Sequence, residues 1–250
     1  MPKAVLTDLR KCMGCRGCQV ACKQWNELPA VETKQRGTYE NPPDLSANTW
    51  TVIKFREIGE NGRVKWLFSK WQCMHCVQPA CVTVCPTSAL YKTEEGPVLY
   101  DESRCIGCQY CVTACPFSIP RFDWEKERMV RKCTSCIDRI TNGLEPACAT
   151  TCPPGVLSFG EREAIIAKAN EAEAKGAYVY GRDEAGGTSR LYISDVPFDE
   201  RGFPAVGTAS YPSHSGAIWG SQFATVVVAA AALGLYSVYL RRKKTEGGQG

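Results

Sequence analysis

The sixteen cysteines of this 250-residue chain fall into four groups of four, and none is left over. They are group 1 (Cys12, Cys15, Cys18, Cys22), group 2 (Cys73, Cys76, Cys81, Cys85), group 3 (Cys105, Cys108, Cys111, Cys115) and group 4 (Cys133, Cys136, Cys148, Cys152). Groups 1 and 3 follow C-x2-C-x2-C-x3-C, a spacing that holds cubane iron–sulfur clusters. Because each cubane takes four thiolates, the pattern predicts four [4Fe–4S] clusters, which are one-electron carriers.

The spacing within a group suits the geometry of a cluster. Cysteines three residues apart in a loop can surround one cluster, while backbone N–H groups turn toward its sulfurs and tune its potential. Gly14 and Gly107 stand between the first two cysteines of groups 1 and 3, where the lack of a Cβ would allow a close approach. The fourth cysteine lies one helical turn after the third, and Pro86, Pro116 and Pro153 follow it in groups 2 to 4, where proline would end the helix.

Two other uses of cysteine compete with this interpretation. Zinc sites use two C-x2-C pairs farther apart or a mixture of cysteine and histidine. Here a third cysteine follows within three to five residues in three of the groups, and the chain has only two histidines. A disulfide framework suits small secreted domains and gives no reason for a repeated cluster spacing. We therefore expect intact cubanes with cysteine ligands and no three-iron cluster.

The segments that must position these cysteines also repeat. Residues 5–15 and 98–108 share the pattern V-L-x-D-x-x-[KR]-C-x-G-C. A polar turn at 93–96 between two short apolar runs predicts a hairpin that leads into group 3. The repeating unit is a cysteine loop, a short helix and a short hairpin, which is a ferredoxin-like module. Groups 2 and 3 would form an inner module, inserted between the halves of an outer module that holds groups 1 and 4.

This nesting predicts which cysteines share a cluster. In two-cluster ferredoxins the fourth cysteine of a group binds the other cluster. The predicted ligand sets are site 1 (Cys12, Cys15, Cys18, Cys152), site 2 (Cys133, Cys136, Cys148, Cys22), site 3 (Cys73, Cys76, Cys81, Cys115) and site 4 (Cys105, Cys108, Cys111, Cys85).

The other segments give the rest of the expected organisation. Residues 50–58 and 64–68 indicate a hairpin, which we interpret as cover for a sheet edge rather than a separate site. Residues 161–175 are typical of a helix, 177–193 of two strands with a glycine-rich turn, and 196–214 of an extended connection. The predicted domains are an outer module (1–23 and 131–160), a hairpin insertion (24–72), an inner module (73–130), a region of helix, strands and connection (161–215), a transmembrane helix (216–240) and a tail (241–250).

The uncharged segment 216–240 predicts the membrane helix. Its 25 residues exceed the roughly 20 that span a bilayer. Trp219 lies near one end and Tyr236 and Tyr239 near the other, where interfacial aromatic residues are common. The alternative, a buried core helix, seldom stays free of charge over such a length.

Four cations at 241–244 predict the orientation of this helix, since the positive-inside rule places them in the cytoplasm. We expect a single-pass inner-membrane protein with its cluster domain on the periplasmic side and its C-terminus in the cytoplasm. Residues 1–11 do not resemble a signal peptide, so export with a partner chain by the twin-arginine route is expected. The alternative is a cytoplasmic cluster domain with the reversed orientation. The predicted fold class is thus α+β: two fused ferredoxin-like modules, one inserted in the other, with short hairpins and one C-terminal transmembrane helix.

Basic residues lie near the ligands along the sequence although the net charge is only +4. We interpret them as compensation for anionic clusters, which raises cluster potentials, rather than as a nucleic-acid patch. Lys132 is the first candidate for such tuning, with Arg131 and Arg104 as further candidates. An ordinary solvated lysine is the alternative for Lys132.

No catalytic motif accompanies the cysteines. The chain has no C-x-x-C-H, no G-x-G-x-x-G and no Walker sequence. His75 lies inside group 2, where a donor to sulfur is a better interpretation than a ligand, and His214 precedes the expected membrane helix. These features predict a non-catalytic electron carrier between partners. A redox sensor and a free membrane-tethered ferredoxin are alternatives, although a sensor needs only one labile cluster.

Several segments together resemble one family. They are C-M-G-C-R-G-C-Q-V-A-C at 12–22 followed by Trp25-Asn26, N-T-W-T-V at 48–52, C-M-H-C at 73–76, C-I-G-C at 105–108, C-P-F-S-I-P at 115–120, K-C-T-x-C-x-D-R at 132–139 and E-P-A-C at 145–148. The chain resembles the four-cluster iron–sulfur (beta) subunits of membrane-bound molybdenum or tungsten oxidoreductases, and among these respiratory formate dehydrogenase most closely.

The resemblance implies a role in a larger complex. A molybdopterin or tungstopterin catalytic subunit would oxidise formate, this chain would pass on the electrons, and a membrane cytochrome b or other quinone-reactive subunit would receive them. The terminal helix would pack against that subunit in the lipid bilayer. The same relay role in a hydrogenase or in an oxidoreductase of sulfur compounds, such as polysulfide, thiosulfate or dimethyl sulfoxide, is the alternative.

Overall fold

The computed structural model describes residues 1–60, 62–124 and 129–212, together with Val227, Val228, Ala230, Leu233, Tyr236 and Ser237. The chain divides into a compact unit, Met1–Ser210, and a second unit, Tyr211–Gly250. The described strands are β1 (Lys3–Asp8), β2 (Val52–Glu60), β3 (Arg63–Trp71), β4 (Leu90–Lys92), β5 (Val98–Tyr100), β6 (Arg121–Phe122), β7 (Val130–Arg131), β8 (Leu157–Glu161), β9 (Tyr178–Tyr180) and β10 (Arg190–Ser194). The described α-helices are α1 (Gly17–Trp25), α2 (Ala80–Thr83), α3 (Tyr110–Ala114), α4 (Ile137–Thr141), α5 (Ala147–Thr150) and α6 (Arg162–Ala174).

Short hairpins and short helices surround the cysteines, as the repeat predicted. Antiparallel pairs β4–β5 and β6–β7 lie on either side of group 3 in the sequence. The third cysteine of group 1, group 2, group 3 and group 4 lies in α1, α2, α3 and α5 respectively, and only in group 1 is the fourth cysteine still inside the helix. The mixed α and β, ferredoxin-like character of the fold is therefore confirmed.

The repeated aspartate of the V-L-x-D pattern has a structural role. Asp8 ends β1, and its Oδ1 accepts a hydrogen bond of 3.2 Å from the backbone N–H of Arg10. Asp101 follows β5 and accepts in the same way from the backbone N–H of Ser103 at 3.0 Å. Each carboxylate caps a 3-10 turn that delivers the first cysteine of its group.

The elements of the nested modules pack as pairs. β8, which follows group 4, pairs antiparallel with β1, which precedes group 1. Helix α1 packs on α5, and α2 packs on α3. Groups 1 and 4 are therefore neighbours in space, as are groups 2 and 3. The finer domain boundaries within Met1–Ser210 stay an interpretation.

The C-terminal strand of the sheet has a position that local patterns did not predict. The sheet has the order β8-β1-β10-β9, and β10 runs parallel to β1 while β9 pairs antiparallel with β10. Helix α6 covers one face, because Ile165, Ala169 and Ala172 recur at helical spacing and pack against the sheet. The predicted helix and the strand–turn–strand that follows it are thus confirmed, and their sheet partner is the N-terminal strand.

The hairpin β2–β3 is longer than the sequence predicted and extends to the residues just before group 2. Its aromatic residues cover group 1: the rings of Phe55 and Phe68 are 5.3 Å apart between centroids, and Arg16 stacks over Phe55 at 4.8 Å.

In the part of the chain that the structure describes, no helix has the length and apolar character needed to cross a membrane. The segment 216–240 and the tail 241–250 lie outside the described residues apart from the six helical positions given above.

Candidate metal centres

The four cysteine loops share one backbone feature. The residue before the second cysteine has a positive φ in every group: +68° at Gly14, +48° at His75, +71° at Gly107 and +61° at Ser135. The sequence indicated this only where glycine stands. At Gly14 the reason differs from the predicted approach to a cluster, since an added Cβ would lie 2.8 Å from Cδ1 of Phe68. The covering hairpin therefore requires glycine there.

A second shared turn follows the Cys-Pro pairs of groups 2 to 4. Ser88, Ser118 and Gly155 have φ values of +52°, +50° and +61°, and each donates its N–H to the carbonyl of the fourth cysteine at 3.1 to 3.2 Å. The turn brings later N–H groups to the thiol, and the N–H of Val156 lies 3.4 Å from Sγ of Cys152. Such N–H···S contacts stabilise a thiolate, the form that binds iron.

The four thiols of site 1 line one small cavity, together with Ile53 and Lys70. Burial raises the pKa of Cys18 to about 12, and Lys70 opposes this shift. The fourth thiol, Cys152, comes from group 4, and α5 brings it there through its contact with α1.

The thiols of site 2 line another cavity, whose wall includes Trp50 and Arg190. The N–H of Ser135 donates to Sγ of Cys133 at 3.3 Å, and Nδ2 of Asn26 lies 3.8 Å from Sγ of Cys22. All four thiols of this site are buried.

The thiols of site 3 are electrostatic neighbours of one another. Burial raises the pKa of Cys76 well above its ordinary value, and the thiols of Cys73, Cys115 and Cys81 raise it further.

The thiols of site 4 form the corresponding set. Burial raises the pKa of Cys111 to about 11, and the thiols of Cys105, Cys108 and Cys85 act in the same direction. Cys85 differs from the others: burial raises its pKa, but hydrogen bonds led by the Leu90 N–H outweigh burial and the net shift is downward.

Shared packing clusters link neighbouring sites: they join Cys18 of site 1 to Cys148 of site 2, Cys133 of site 2 to Cys73 of site 3, and Cys81 of site 3 to Cys111 of site 4. Apart from burial, the thiol of Cys148 in site 2 is a cause that raises the pKa of Cys18 in site 1. Cys73 in site 3 acts likewise on Cys133 in site 2, and Cys111 in site 4 acts on Cys81 in site 3. Cys15 and Cys108 are exposed, while the other fourteen cysteines are buried or half-buried. The order is 1-2-3-4, with an exposed thiol at each end.

Three fully buried cations lie among these thiols: Lys70, Lys132 and Arg190. Lys70 donates to Oγ1 of Thr51 at 2.9 Å, and none of the three forms an ion pair with a carboxylate within the described ranges. For Lys70, burial lowers the pKa, but the thiols of Cys148 and Cys18 outweigh it and the net shift is upward.

This arrangement fits clusters rather than single ions. An isolated buried cation is costly, whereas anionic clusters supply the missing counter-charge. In the described parts of the chain, no three Cys, His, Asp or Glu side chains converge as closely as ligands of one metal ion do. A cubane needs wider spacing, because its four thiolates bind four separate irons.

The three predicted tuning residues differ in position. Lys132 is buried, and its Nζ donates to the carbonyls of Val98 and Cys133, the latter at 3.1 Å. Arg131 pairs with Glu102, with 3.3 Å between Nη2 and Oε1. Arg104 is exposed at the end of its 3-10 turn.

His75 is buried, and its Nδ1 accepts from the N–H of Val98 at 3.0 Å. Nε2 therefore carries the proton, and it is buried without a hydrogen-bond partner among the described residues. Burial, then Lys132 and Arg190, lower the pKa of His75 well below its ordinary value, so the ring is neutral. The predicted role as a donor to sulfur is compatible with this geometry.

Sequence reasoning did not single out Lys70 and Arg190. Lys70 stands three residues before Cys73, and proximity to a ligand was a signal that could have found it. Arg190 lies far along the chain from any cysteine, and only the parallel pairing of β10 with β1 brings it to site 2.

The regions of the chain that match known protein families contain the same cysteines. Two models of a 4Fe-4S dicluster domain match residues 11–89 and 64–162. The nitrate-inducible formate dehydrogenase iron-sulfur subunit of Escherichia coli is 42% identical over 212 residues, which cover 80% of this chain and 72% of that protein. This chain belongs to the family of formate dehydrogenase iron–sulfur subunits.

Two further members of the family show its breadth. The formate dehydrogenase iron-sulfur subunit of Haemophilus influenzae is 41% identical over 213 residues, covering 80% of this chain and 68% of that protein. The formate dehydrogenase 2 subunit beta (cytochrome c-553) of Nitratidesulfovibrio vulgaris is 43% identical over 186 residues, covering 70% and 84%. The family relationship confirms the resemblance seen in the motifs.

Proposed function

We propose that this chain is the non-catalytic electron-transfer subunit of a formate dehydrogenase complex, and that it holds four [4Fe–4S] clusters with the ligand sets of sites 1 to 4. The observation that carries the proposal is the row of four cysteine sets, linked through shared packing clusters, with an exposed cysteine at each end. When bound, the clusters would supply one-electron carriers in series.

The residues of the chain would hold and tune these carriers. The thiols bind iron, the turn N–H groups stabilise the thiolates, and the buried cations compensate for negative charge. The covering hairpin packs over the loop of group 1, and Arg190 of β10 lines the wall of site 2. The chain offers no catalytic motif of its own, so we propose that formate is oxidised on a partner.

We propose partners at both ends of the row. A molybdopterin or tungstopterin catalytic subunit would deliver electrons at one end, and a membrane cytochrome b or other quinone-reactive subunit would accept them at the other. The names of the relatives, which specify formate dehydrogenase, support the first partner. The exposed thiols of Cys15 and Cys108 would lie at the two docking surfaces.

We further propose that 216–240 spans the inner membrane once, with the cluster domain in the periplasm and 241–250 in the cytoplasm. The uncharged sequence and the four cations that follow it support this placement. Protease added to sealed spheroplasts should then cleave the cluster domain, whereas protease added to inverted vesicles should remove only the tail. Protection of the cluster domain in spheroplasts would reverse the proposed orientation.

Low-temperature EPR on the complex purified through this chain tests the function. Adding formate should produce several fast-relaxing EPR signals of reduced cubanes. The iron and sulfide content of this chain should correspond to four clusters. The same signals with dithionite but none with formate would retain the relay and reject formate dehydrogenase as its partner. The hydrogenase and sulfur-compound oxidoreductases would then be tested with hydrogen and with sulfur substrates.

A further inference from the structure

Arg190 is a buried guanidinium in the wall of site 2. It begins β10, is 1% exposed, and lines the same cavity as Cys22, Cys133, Cys136 and Cys148. Because β10 is hydrogen-bonded on both sides, to β1 and to β9, the strand that carries this side chain is fixed in the sheet.

One half of the guanidinium has a partner and the other half has none. Nη2 donates to Oγ of Ser135, inside the cysteine loop of group 4, at 2.5 Å. Nη1 is buried and has no acceptor among the described residues. A charged donor left unsatisfied in a protein interior is strongly destabilising, and the space that this side chain lines is the cavity of site 2.

The nitrogens of the other two buried cations already have acceptors among the described residues. Nζ of Lys70 donates to Thr51 and Gln72, and Nζ of Lys132 donates to two backbone carbonyls. Among the three cations, Arg190 thus combines the fixed strand, the tether to a cysteine loop and a nitrogen that still requires an acceptor.

We propose that Arg190 donates from Nη1 to a sulfur of the cluster at site 2 and raises the reduction potential of that cluster specifically. This inference rests on the proposed function, because it requires a cluster at site 2. Reduction adds negative charge to a cluster, and a fixed cationic donor stabilises the reduced form more than the oxidised form.

An anaerobic redox titration followed by EPR tests the inference. The wild type is compared with Arg190→Gln, which removes the charge, and with Arg190→Lys, which keeps the charge but loses the planar guanidinium and its paired N–H donors. The control is Arg182→Gln, which makes the same change in net charge where the arginine is paired with Glu173 and Asp183.

We expect the midpoint potential of one cluster to become more negative in Arg190→Gln and to shift less in Arg190→Lys. The other clusters and the Arg182→Gln control should keep wild-type potentials. The shifted signal should be the one that Cys136→Ser removes, since Cys136 is a predicted ligand of site 2.

Different outcomes separate this inference from the proposed function. Unchanged potentials in both Arg190 variants, with full iron and sulfide content, would overturn the role of Arg190 and leave the relay intact. A wild type without four cubanes would overturn the function itself.

If Arg190→Gln does not assemble, Arg190→Lys and Ser135→Ala decide the matter. Ser135→Ala removes the Oγ that holds Nη2, and it should shift the potential of the same cluster in the negative direction. Wild-type potentials in both of these variants would reject the inference.

Discussion

At the scale of single residues, a thiolate needs more than its spacing in the sequence. Each of the four loops uses a left-handed residue before its second cysteine, and this is glycine in two groups but His75 and Ser135 in the others. The side chains at these two positions form hydrogen bonds: Ser135 accepts from Arg190, and His75 accepts from the N–H of Val98. Glycine in the sequence therefore identifies this left-handed position in only two of the four loops.

The ligand exchange between groups makes a prediction about single cysteines. Cys152→Ser and Cys12→Ser should remove the same EPR component, because both thiols line the cavity of site 1. Cys136→Ser should remove a different component. If Cys152→Ser instead reproduces the spectrum of Cys136→Ser, the fourth cysteine stays with its own group and the exchange is wrong.

At the scale of elements, the long hairpin β2–β3 forms a separate two-stranded sheet that covers the loop of group 1. It packs Phe68 against the loop of group 1 and carries Lys70 into the space beside sites 1 and 2. The sequence predicted the hairpin itself from alternation and a turn. Its function depends on where it folds back, which alternation does not encode.

The contact between this hairpin and the first loop can be tested with matched glycines. Gly14→Ala and Gly143→Ala both place a Cβ at a left-handed φ, which costs about 1–2 kcal/mol. Only at Gly14 would that Cβ meet Phe68, which adds about 1–3 kcal/mol of overpacking. The thermal midpoint of the loaded protein should therefore fall further in Gly14→Ala. An equal decrease of the thermal midpoint in the two variants would show that Phe68 moves away from the added Cβ without destabilising the protein.

The face of α6 offers a second test at this scale. Ala169 is fully buried against the sheet, whereas Ala167 is exposed on the same helix. Ala169→Leu should destabilise the protein by about 1–3 kcal/mol through overpacking, while Ala167→Leu should leave stability nearly unchanged. Similar thermal midpoints for the two variants would contradict the packing of α6.

At the scale of the whole molecule, cysteines are part of the hydrophobic core. Three of the core clusters include cysteines, and the fourth, between α6 and the sheet, contains none. Apolar burial around short hairpins is thin, so the bound clusters would act as core material, and their binding would couple to folding.

Removing iron should therefore unfold the molecule unevenly. After anaerobic chelation, hydrogen exchange should become fast across the cysteine modules and remain slower in α6 and the strands beneath it. Exchange followed by mass spectrometry, with the reconstituted protein as control, measures the difference. Uniform loss of protection would show that the packing of α6 depends on the clusters as well.

The sequence by itself determined the chemistry of this protein. Ligand type, group number, capping aspartates and Cys-Pro turns depend on residues close together in the chain, and their spacing carries that information directly. The row of sites, the parallel pairing of β10 with β1 and the placement of Lys70 and Arg190 were decided by tertiary structure. These features join residues that are distant in sequence, and a buried cation acquires its role only when packing removes water and brings thiols to it.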